Sequence, residues 1–172
     1  MQLPISIQKL VEEFTKLPTI GRKSAERFVF YLLQKPQTEL EIFAESIKNL
    51  KNQITSCSVC GCFSEHNTCN ICSDPNRNKT SICIVVETRN IILIENTKIF
   101  NGTYHVLGGL IDTAKGVLPE NLNIKKLIER LQSNPEASGQ EIILALNPTF
   151  EGENTSLYLQ NLLKNLNIKI NQ

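Results

Sequence analysis

Five of the six cysteines of this chain lie between positions 57 and 72. Cys57 and Cys60 form one Cys-x-x-Cys pair, and Cys69 and Cys72 form a second. Two intervening residues allow both thiolates of a pair to reach one ion, and two such pairs complete a tetrahedron of sulfur around zinc. Because four protein ligands leave no open coordination position, the spacing predicts one structural zinc ion rather than a catalytic one.

The remaining candidates for metal binding are less well placed. Cys62 lies inside the loop and Cys83 lies in a predicted strand, so both are interpreted as packing residues. His66 could replace a cysteine, although four well-spaced thiolates make this unnecessary. A secreted disulfide domain would spread its cysteines along the chain and carry a signal peptide, and neither pattern is found here. The clustering therefore indicates a cytoplasmic protein, and the apolar runs are too short to predict a membrane span.

The residue pattern divides the chain into three parts. Residues 1–55 carry helical periodicity, residues 56–80 are rich in Cys, Asn and Ser, and residues 81–172 alternate strand and helix. The middle part has too few large apolar residues to build its own core, so we expect the metal to hold it together. The predicted fold class is thus a multidomain α+β protein, with a helical region, a small four-cysteine zinc module and an α/β domain.

Three helices are predicted in the first part. Pro18 ends the first helix, Gly21 permits a tight turn, and the second helix covers about residues 22–33. The third helix is expected to open at Thr38, with Glu41 three residues later as a capping box. The residues expected on the apolar faces are Ile7, Leu10, Val11 and Phe14, then Ala25, Phe28, Val29 and Leu32, then Leu40, Phe43, Ala44, Ile47 and Leu50.

The third part predicts a mostly parallel sheet with helices on its faces. Its strand and helix patterns alternate along the chain, and no internal repeat is found. The expected strands are residues 82–86, 104–107, 142–146 and 168–170, and the expected helices are residues 91–94, 124–131 and 155–165.

A basic hairpin between the first two helices is a candidate phosphate site. A helix that starts after a glycine turn presents free backbone N–H groups, which favour a bound anion. Gly21 supplies the turn, and Arg22, Lys23 and Arg27 add positive charge beside it. Contacts of this kind ignore base identity, so the pattern indicates sequence-independent, salt-sensitive DNA binding. The alternative is an ordinary helical hairpin with a solvated charged face.

Polar residues also collect at the expected carboxyl edge of the sheet, where open α/β sheets place their sites. Glu87 follows the first strand, and a segment containing Asn147, Thr149, Glu151 and Glu153 follows the third. After the second strand, a Gly-Gly pair at 108–109 permits close backbone approach. The alternative is a polar loop edge that binds no ligand.

Taken in this order, the motifs resemble the RecR family of bacterial recombination mediators over essentially the whole chain. The stretches that carry the resemblance are Leu17-Pro18-x-Ile20-Gly21-Arg22-Lys23-Ser24-Ala25, the four paired cysteines, Tyr104-His105-Val106-Leu107-Gly108-Gly109 and Leu146-Asn147-Pro148-Thr149-x-Glu151-Gly152-Glu153-x-Thr155. The first part is then a helix-hairpin-helix, and the last part is similar to a Toprim domain, which also occurs in topoisomerases and primases.

The resemblance implies a ring-forming protein of DNA repair that clamps DNA. Its expected partners are RecO, and RecF where present, with which it would load RecA onto gapped DNA near the nucleoid. Catalytic Toprim domains hold Mg²⁺ with a Glu and an Asp-x-Asp pair. Here Glu87 remains, but the two Asp positions are Asn147 and Thr149, and only Glu151 and Glu153 stand nearby. Since Mg²⁺ prefers charged oxygen ligands, we expect binding without catalysis.

Two alternatives stay open from the sequence. One is a metal-dependent nuclease or primase-like enzyme that uses Glu87, Glu151 and Glu153, and the other is a zinc-held adaptor that binds only proteins. Members of the resembled family also continue past the strand at 168–170, with a tail through which subunits exchange segments. From the end at Gln172 we expect a C-terminally shortened Toprim domain and weakened self-association.

Overall fold

The computed structural model of the protein describes residues 3–133, 140–166 and 168–172, and its contacts form two compact units, residues 1–52 and residues 53–172. The helices are α1 (Ile5–Thr15), α2 (Arg22–Leu33), α3 (Gln37–Gln53), α4 (Asn70–Ser73), α5 (Thr88–Glu95), α6 (Ile124–Gln132) and α7 (Phe150–Leu163). The strands are β1 (Thr55–Ser56), β2 (Phe63–Ser64), β3 (Asn78–Val85), β4 (Gly102–Val106), β5 (Glu141–Ala145) and β6 (Lys169–Asn171). None of the helices in the described part of the chain has the length and apolar character needed to cross a membrane.

The first unit has a small core between α1 and α2. Val11, Ala25 and Val29 are buried there, and Ile7, Phe14 and Ile20 pack around them. Helix α3 buries none of its residues. The apolar side chains of α3 instead border an open groove of about 510 Å³, which α3 forms together with α1 and α2.

Two expectations for this unit are wrong. Phe28 was expected to point inward, but its side chain is 43% exposed, and its ring meets Phe14 edge to face with centroids 5.8 Å apart. Helix α3 begins at Gln37 rather than after a cap at Thr38. Thr38 therefore lies within the first turn, and Glu41 accepts a hydrogen bond from the Gln37 side chain instead of completing a capping box.

The second unit contains the predicted parallel sheet. Its strand order is β4-β3-β5-β6, and every pairing in it is parallel. Both faces of the central strand β3 are covered, since Ser81 to Val85 are all buried, which explains a continuous apolar run rather than an alternating one. Helix α6 covers one face through Leu127 and Leu131, which belong to the main core with Ile82 and Ile142.

The helix after β5 begins earlier than the sequence predicts. Helix α7 starts at Phe150, five residues before the predicted start at Thr155, because Thr149 caps it through a hydrogen bond from the Gly152 N–H to the Thr149 Oγ1. This start places Glu151 and Glu153 in the first turn of a helix rather than in a polar loop.

The cysteine-rich segment contains little regular structure of its own. The short strands β1 and β2 pair antiparallel, and α4 spans a single turn. Its buried cysteines share a second core cluster with residues of the sheet and of α5. The sheet residues in that cluster are Cys83, Val85, Tyr104 and Val106.

Candidate metal centre and nucleic-acid interface

The cysteine-rich segment brings four sulfur atoms together. The Sγ atoms of Cys57, Cys60, Cys62 and Cys69 all lie within 4.8 Å of one another, and all four side chains are buried. The Cys60 and Cys69 Sγ atoms are 3.6 Å apart. A zinc ion with bonds of about 2.3 Å to four sulfurs requires neighbouring sulfurs about 3.8 Å apart, so the group fits a tetrahedral thiolate centre.

Cys72 lies in the same buried cluster, beside Cys60. Interaction with the neighbouring Cys62 and Cys72 thiols lowers the pKa of Cys60, and the same interaction raises the pKa of Cys62 and Cys72. Three cysteines of the two pairs, Cys57, Cys60 and Cys69, therefore converge, and Cys72 lies in the same cluster of buried side chains. Cys62, interpreted from the sequence as a packing residue, is the fourth sulfur of the converging group.

The backbone around the first pair is shaped for this convergence. Gly61 adopts φ +76°, and a Cβ there would meet the Val106 carbonyl oxygen at 3.2 Å. The turn returns the chain so that the Cys57 N–H donates to the Cys62 carbonyl at 2.8 Å. The Cys69 N–H donates to the Cys57 Sγ at 3.3 Å. The turn at Gly61 and these two hydrogen bonds therefore hold Cys62 and Cys69 close to Cys57.

Arg130 lies beside the cluster and was not singled out from the sequence. Its guanidinium donates to the Tyr104 carbonyl at 2.6 Å and to the Thr103 Oγ1 at 2.9 Å. Burial lowers its pKa, while the neighbouring cysteine thiolates oppose that shift. Arg130 forms no salt bridge with a carboxylate of the described residues, and zinc held by four thiolates carries a net negative charge. The cysteine cluster is thus the candidate counter-charge for this partly buried cation.

The basic hairpin lies in the first unit and differs from its predicted geometry. The residue in the left-handed region is Thr19, with φ 66°, whereas Gly21 is extended, with φ −82°. Gly21 stands at the N-cap of α2, where it has no side chain to accept from the first N–H groups of the helix. A Cβ at this position would meet no atom within 4 Å. The α2 N-terminus is therefore open to an approaching group.

The three predicted DNA-contacting cations are exposed but not equivalent. The Arg22 Nε lies 3.1 Å from the Glu26 Oε1, so this guanidinium is already paired along α2. Lys23 and Arg27 lie on the same helix, four residues apart and hence on one face. Neither forms a salt bridge to any residue in the described part of the chain. Two unpaired cations thus accompany the open helix end.

At the carboxyl edge of the sheet, the Glu87 carboxylate is occupied by a neighbour. The Arg89 guanidinium donates to the Glu87 Oε1 through Nη2 at 2.6 Å and through Nε at 3.0 Å. The Glu87 N–H in turn donates to the Asn90 Oδ1 at 2.9 Å, at the start of α5. Glu87 therefore begins a helix and holds an ion pair.

The second part of this edge is held by local hydrogen bonds, and only Gly152 is closely packed. The Thr149 hydroxyl accepts from the Gly152 N–H at 3.2 Å, and the Thr149 carbonyl accepts from the Glu153 N–H at 2.9 Å. A Cβ on Gly152 would lie 1.9 Å from the Asn147 carbonyl oxygen, so only glycine fits. Farther out, the Gln172 amide donates to both Glu153 carboxylate oxygens at 3.2 Å.

The three carboxylates of the possible catalytic site are not brought together. Among the described residues, the cysteine cluster alone gathers three or more Cys, His, Asp or Glu ligand atoms within 4.8 Å. Glu87, Glu151 and Glu153 therefore do not converge on one ion in this conformation. Asn147 and Thr149, at the positions of the Asp-x-Asp pair, offer neutral groups only.

The comparison with known proteins identifies both units. Residues 7–51 match the RecR helix-hairpin-helix family, and residues 80–172 match the Toprim domain family. The chain is 43% identical over 167 residues to the Recombination protein RecR of two Clostridium perfringens strains, which covers 97% of this chain and 82% of the relative. It is 42% identical over 170 residues to that of Lactobacillus delbrueckii subsp. bulgaricus, covering 99% of this chain and 84% of the relative.

Proposed function

This chain belongs to the RecR family of recombination proteins, and we propose that it acts in recombination repair by binding DNA without cutting it. The observation that carries the proposal is the open N-terminus of α2, with Gly21 at the N-cap and two unpaired cations beside it. Free N–H groups and the helix dipole attract a phosphate at such an end. Lys23 and Arg27 would contact neighbouring phosphates, and Arg22 would contribute less because Glu26 holds it.

Charge reversal at the hairpin tests this interface. In fluorescence anisotropy titrations with labelled gapped DNA at several salt concentrations, Lys23→Glu and Arg27→Glu should each weaken binding. They should do so equally for unrelated DNA sequences, because phosphate contacts carry no sequence information. Each variant should also flatten the plot of log affinity against log salt by about one unit, since one phosphate contact fewer releases fewer counterions.

Lys48→Glu is the matched control. Lys48 is an exposed cation of the same unit, on α3, and pairs with Glu45 at 3.2 Å. Its reversal changes the net charge by the same amount, so it should leave the salt dependence close to that of the wild type. Equal losses for all three variants would mean that overall charge governs binding, and unchanged affinity of Lys23→Glu at low salt would remove the hairpin from the interface.

We further propose that the protein encircles DNA as a ring of subunits and works with RecO, and with RecF where present, in loading RecA. Support for self-association comes from the apolar groove of the first unit, which exposes Phe43 and Ile47. A closed ring should stay on circular gapped DNA at a salt concentration that removes it from linear DNA. Equal release from both forms would contradict the clamp, and retention that requires added RecO would place RecO in its closure.

The proposed role does not include phosphoryl transfer. The pairing of Glu87 with Arg89 and the neutral Asn147 and Thr149 support this view. Labelled gapped DNA incubated with Mg²⁺ or Mn²⁺ should remain intact and unextended. Cleavage that disappears in Glu87→Gln would favour the nuclease alternative instead.

We also propose that the cysteine cluster holds one structural zinc ion through Cys57, Cys60, Cys69 and Cys72. The ion would fix the cysteine-rich segment on the sheet, and Arg130 would balance the charge of its thiolates. Metal analysis of protein purified without chelators should find one zinc per chain. Cys69→Ser should lose the ion and raise amide exchange across residues 53–80, while exchange in α1 and α2 stays unchanged. Wild-type protein without zinc would contradict the proposal.

A further inference from the structure

We propose that Cys62 is an alternative fourth ligand of the metal centre, which exchanges with Cys72 at one coordination position. This inference rests on the zinc centre proposed above and concerns a residue outside both Cys-x-x-Cys pairs. Its basis is that the four sulfurs within 4.8 Å of one another include Cys62 in place of Cys72, while Cys72 lies in the same cluster of buried side chains, where a structural zinc ion accepts four ligands.

The sulfur geometry places Cys62 inside the site rather than behind it. The group of sulfurs within 4.8 Å of one another is made of Cys57, Cys60, Cys62 and Cys69, and it is complete without Cys72. Cys62 is 5% exposed and Cys72 is 9% exposed, so protein surrounds both. Cys60, Cys62 and Cys72 belong to the same cluster of buried side chains. Cys62 and Cys72 are therefore the two competitors for the fourth position.

The backbone explains how a residue outside the pairs reaches the ion. Gly61, in the left-handed conformation, reverses the chain directly after Cys60, and the Cys62 carbonyl accepts from the Cys57 N–H at 2.8 Å. This bond ties Cys62 to the first pair. Cys72 belongs to the single helical turn α4, whose C-terminal Ser73 N–H is held by the Cys69 carbonyl at 3.0 Å. Each competing sulfur thus comes from its own short, hydrogen-bonded loop.

In the proposed exchange, one thiolate takes the place of another on the same ion. The incoming sulfur forms a bond to zinc as its proton leaves, and the outgoing thiolate takes up a proton, so charge and coordination number are conserved. No oxidant is needed. The consequence is that removing either Cys62 or Cys72 leaves a complete set of four thiolates, whereas removing both leaves three.

Four full-length variants test this consequence: Cys62→Ser, Cys72→Ser, the double variant, and Cys83→Ser as a control for a buried cysteine in β3. Zinc affinity is measured by competition with a chromophoric chelator. Thiolates are counted from the sulfur-to-cobalt charge-transfer absorption after replacement of zinc by Co²⁺. Both single variants and the control should hold one ion through four thiolates. The double variant should show three and bind zinc on the order of 100-fold more weakly than either single variant.

The outcomes separate the possibilities. A loss confined to Cys72→Ser, with Cys62→Ser like the wild type, makes Cys62 a bystander and overturns the proposal. A loss confined to Cys62→Ser makes Cys62 the only fourth ligand and overturns the exchange. Cys62→Ala repeats the test with a side chain that cannot coordinate, and amide exchange in the first unit checks that each variant folds. A wild type that binds no metal would remove the zinc centre itself, whereas DNA binding by the hairpin is measured independently.

Discussion

The N-termini of α2 and α7 show two ways of starting a helix after a turn. At α7 the Thr149 hydroxyl caps the helix, and Gly152 packs against the Asn147 carbonyl. At α2 the N-cap is Gly21, which offers neither a capping group nor a close neighbour. The Gly152 N–H in the first turn of α7 is therefore used within the protein, whereas the first N–H groups of α2 have no capping side chain and lie beside two cations that form no salt bridge among the described residues.

We interpret this difference as one between the carboxyl edge of the Toprim sheet and the proposed DNA-binding hairpin. The sheet edge carries the more familiar Toprim motif, yet the Glu87 carboxylate pairs with Arg89 and the Thr149 hydroxyl caps α7. The hairpin, in contrast, leaves its backbone N–H donors and its positive charges available. An N–H group that already has a hydrogen-bond partner within the protein is not available to a phosphate. The more open of the two helix ends is therefore the better candidate for phosphate binding.

Gly152→Ala should give the largest effect, because the closed end has no room for a methyl group. The added carbon would overlap the Asn147 carbonyl oxygen, and a backbone atom cannot move aside cheaply. We expect a loss of about 3 kcal/mol in the free energy of unfolding of the second unit. Urea denaturation monitored by amide exchange in β5 would measure it. A change under about 1 kcal/mol would show that the α7 turn is loosely packed.

His105 extends the comparison to a titratable side chain, which the second unit keeps from water. Its Nε2–H donates to the Asn123 carbonyl at 2.9 Å, and burial lowers its pKa from 6.5 to about 4. Between these values the unfolded chain binds a proton that the folded chain does not, so acidification destabilises the fold. The free energy of unfolding should fall by about 1.6 kcal/mol from pH 6.5 to pH 5 through this residue.

The His105→Gln variant isolates that contribution. Glutamine can donate to the same carbonyl but does not titrate. The free energy of unfolding of the variant should therefore depend less steeply on pH, with a slope that differs from the wild type by the equivalent of up to one bound proton. Acid release of zinc affects both proteins alike and cancels in the difference. Parallel pH profiles for the two proteins would mean that the imidazole is hydrated in solution.

Gly21→Asp should close the open end. Gly21 already has the extended backbone of an N-cap residue, and nothing obstructs a side chain there. A carboxylate would cap α2 and repel phosphate, so stability should hold or rise by about 0.5 kcal/mol while DNA affinity falls. We expect roughly tenfold weaker binding by anisotropy, which corresponds to about 1.4 kcal/mol.

Gly21→Ser separates the two parts of that effect, because serine caps the helix without adding charge. An intermediate loss of affinity is expected. Full affinity in both variants would show that DNA does not use this helix end.

Thr149→Ala should give the smallest change. It removes the α7 cap and should reduce the free energy of unfolding by about 1 kcal/mol. DNA affinity should stay at the wild-type value, since no phosphate is expected at the closed end. A loss of DNA affinity with retained stability would reverse the contrast between the two helix ends.

Much of this arrangement could be predicted from residue patterns. The spacing of Cys57, Cys60, Cys69 and Cys72 predicted a shared metal site, and the structure brings Cys57, Cys60 and Cys69 together with Cys62 in a buried cluster that could hold a metal ion. The apolar runs around residues 82–86 and 142–146 predicted parallel strands, which is confirmed. These signals are local, because they arise from ligand reach and from the periodicity of a covered strand.

The remaining features depend on contacts that a linear pattern does not encode. Cys62 looked like a packing residue because its approach to the other sulfurs requires the left-handed turn at Gly61. Thr19, not Gly21, adopts the strained conformation in the hairpin, although glycine is the usual choice for it. Arg130 lies beside the cysteine cluster, which is distant from it in sequence. The first two cases depend on the backbone conformation of a single residue, and the third depends on a contact between distant segments.

The order of strands in the sheet has a consequence for synthesis on the ribosome. Strand β3 lies between β4 and β5, and β5 is made long after β3. Helices α1 and α2 contact each other locally and can pair as soon as they emerge. Strand β3 instead keeps an unpaired edge while α5, β4 and α6 are translated. We therefore expect the second unit to fold more slowly than the first and to be the part that needs protection in the nascent chain.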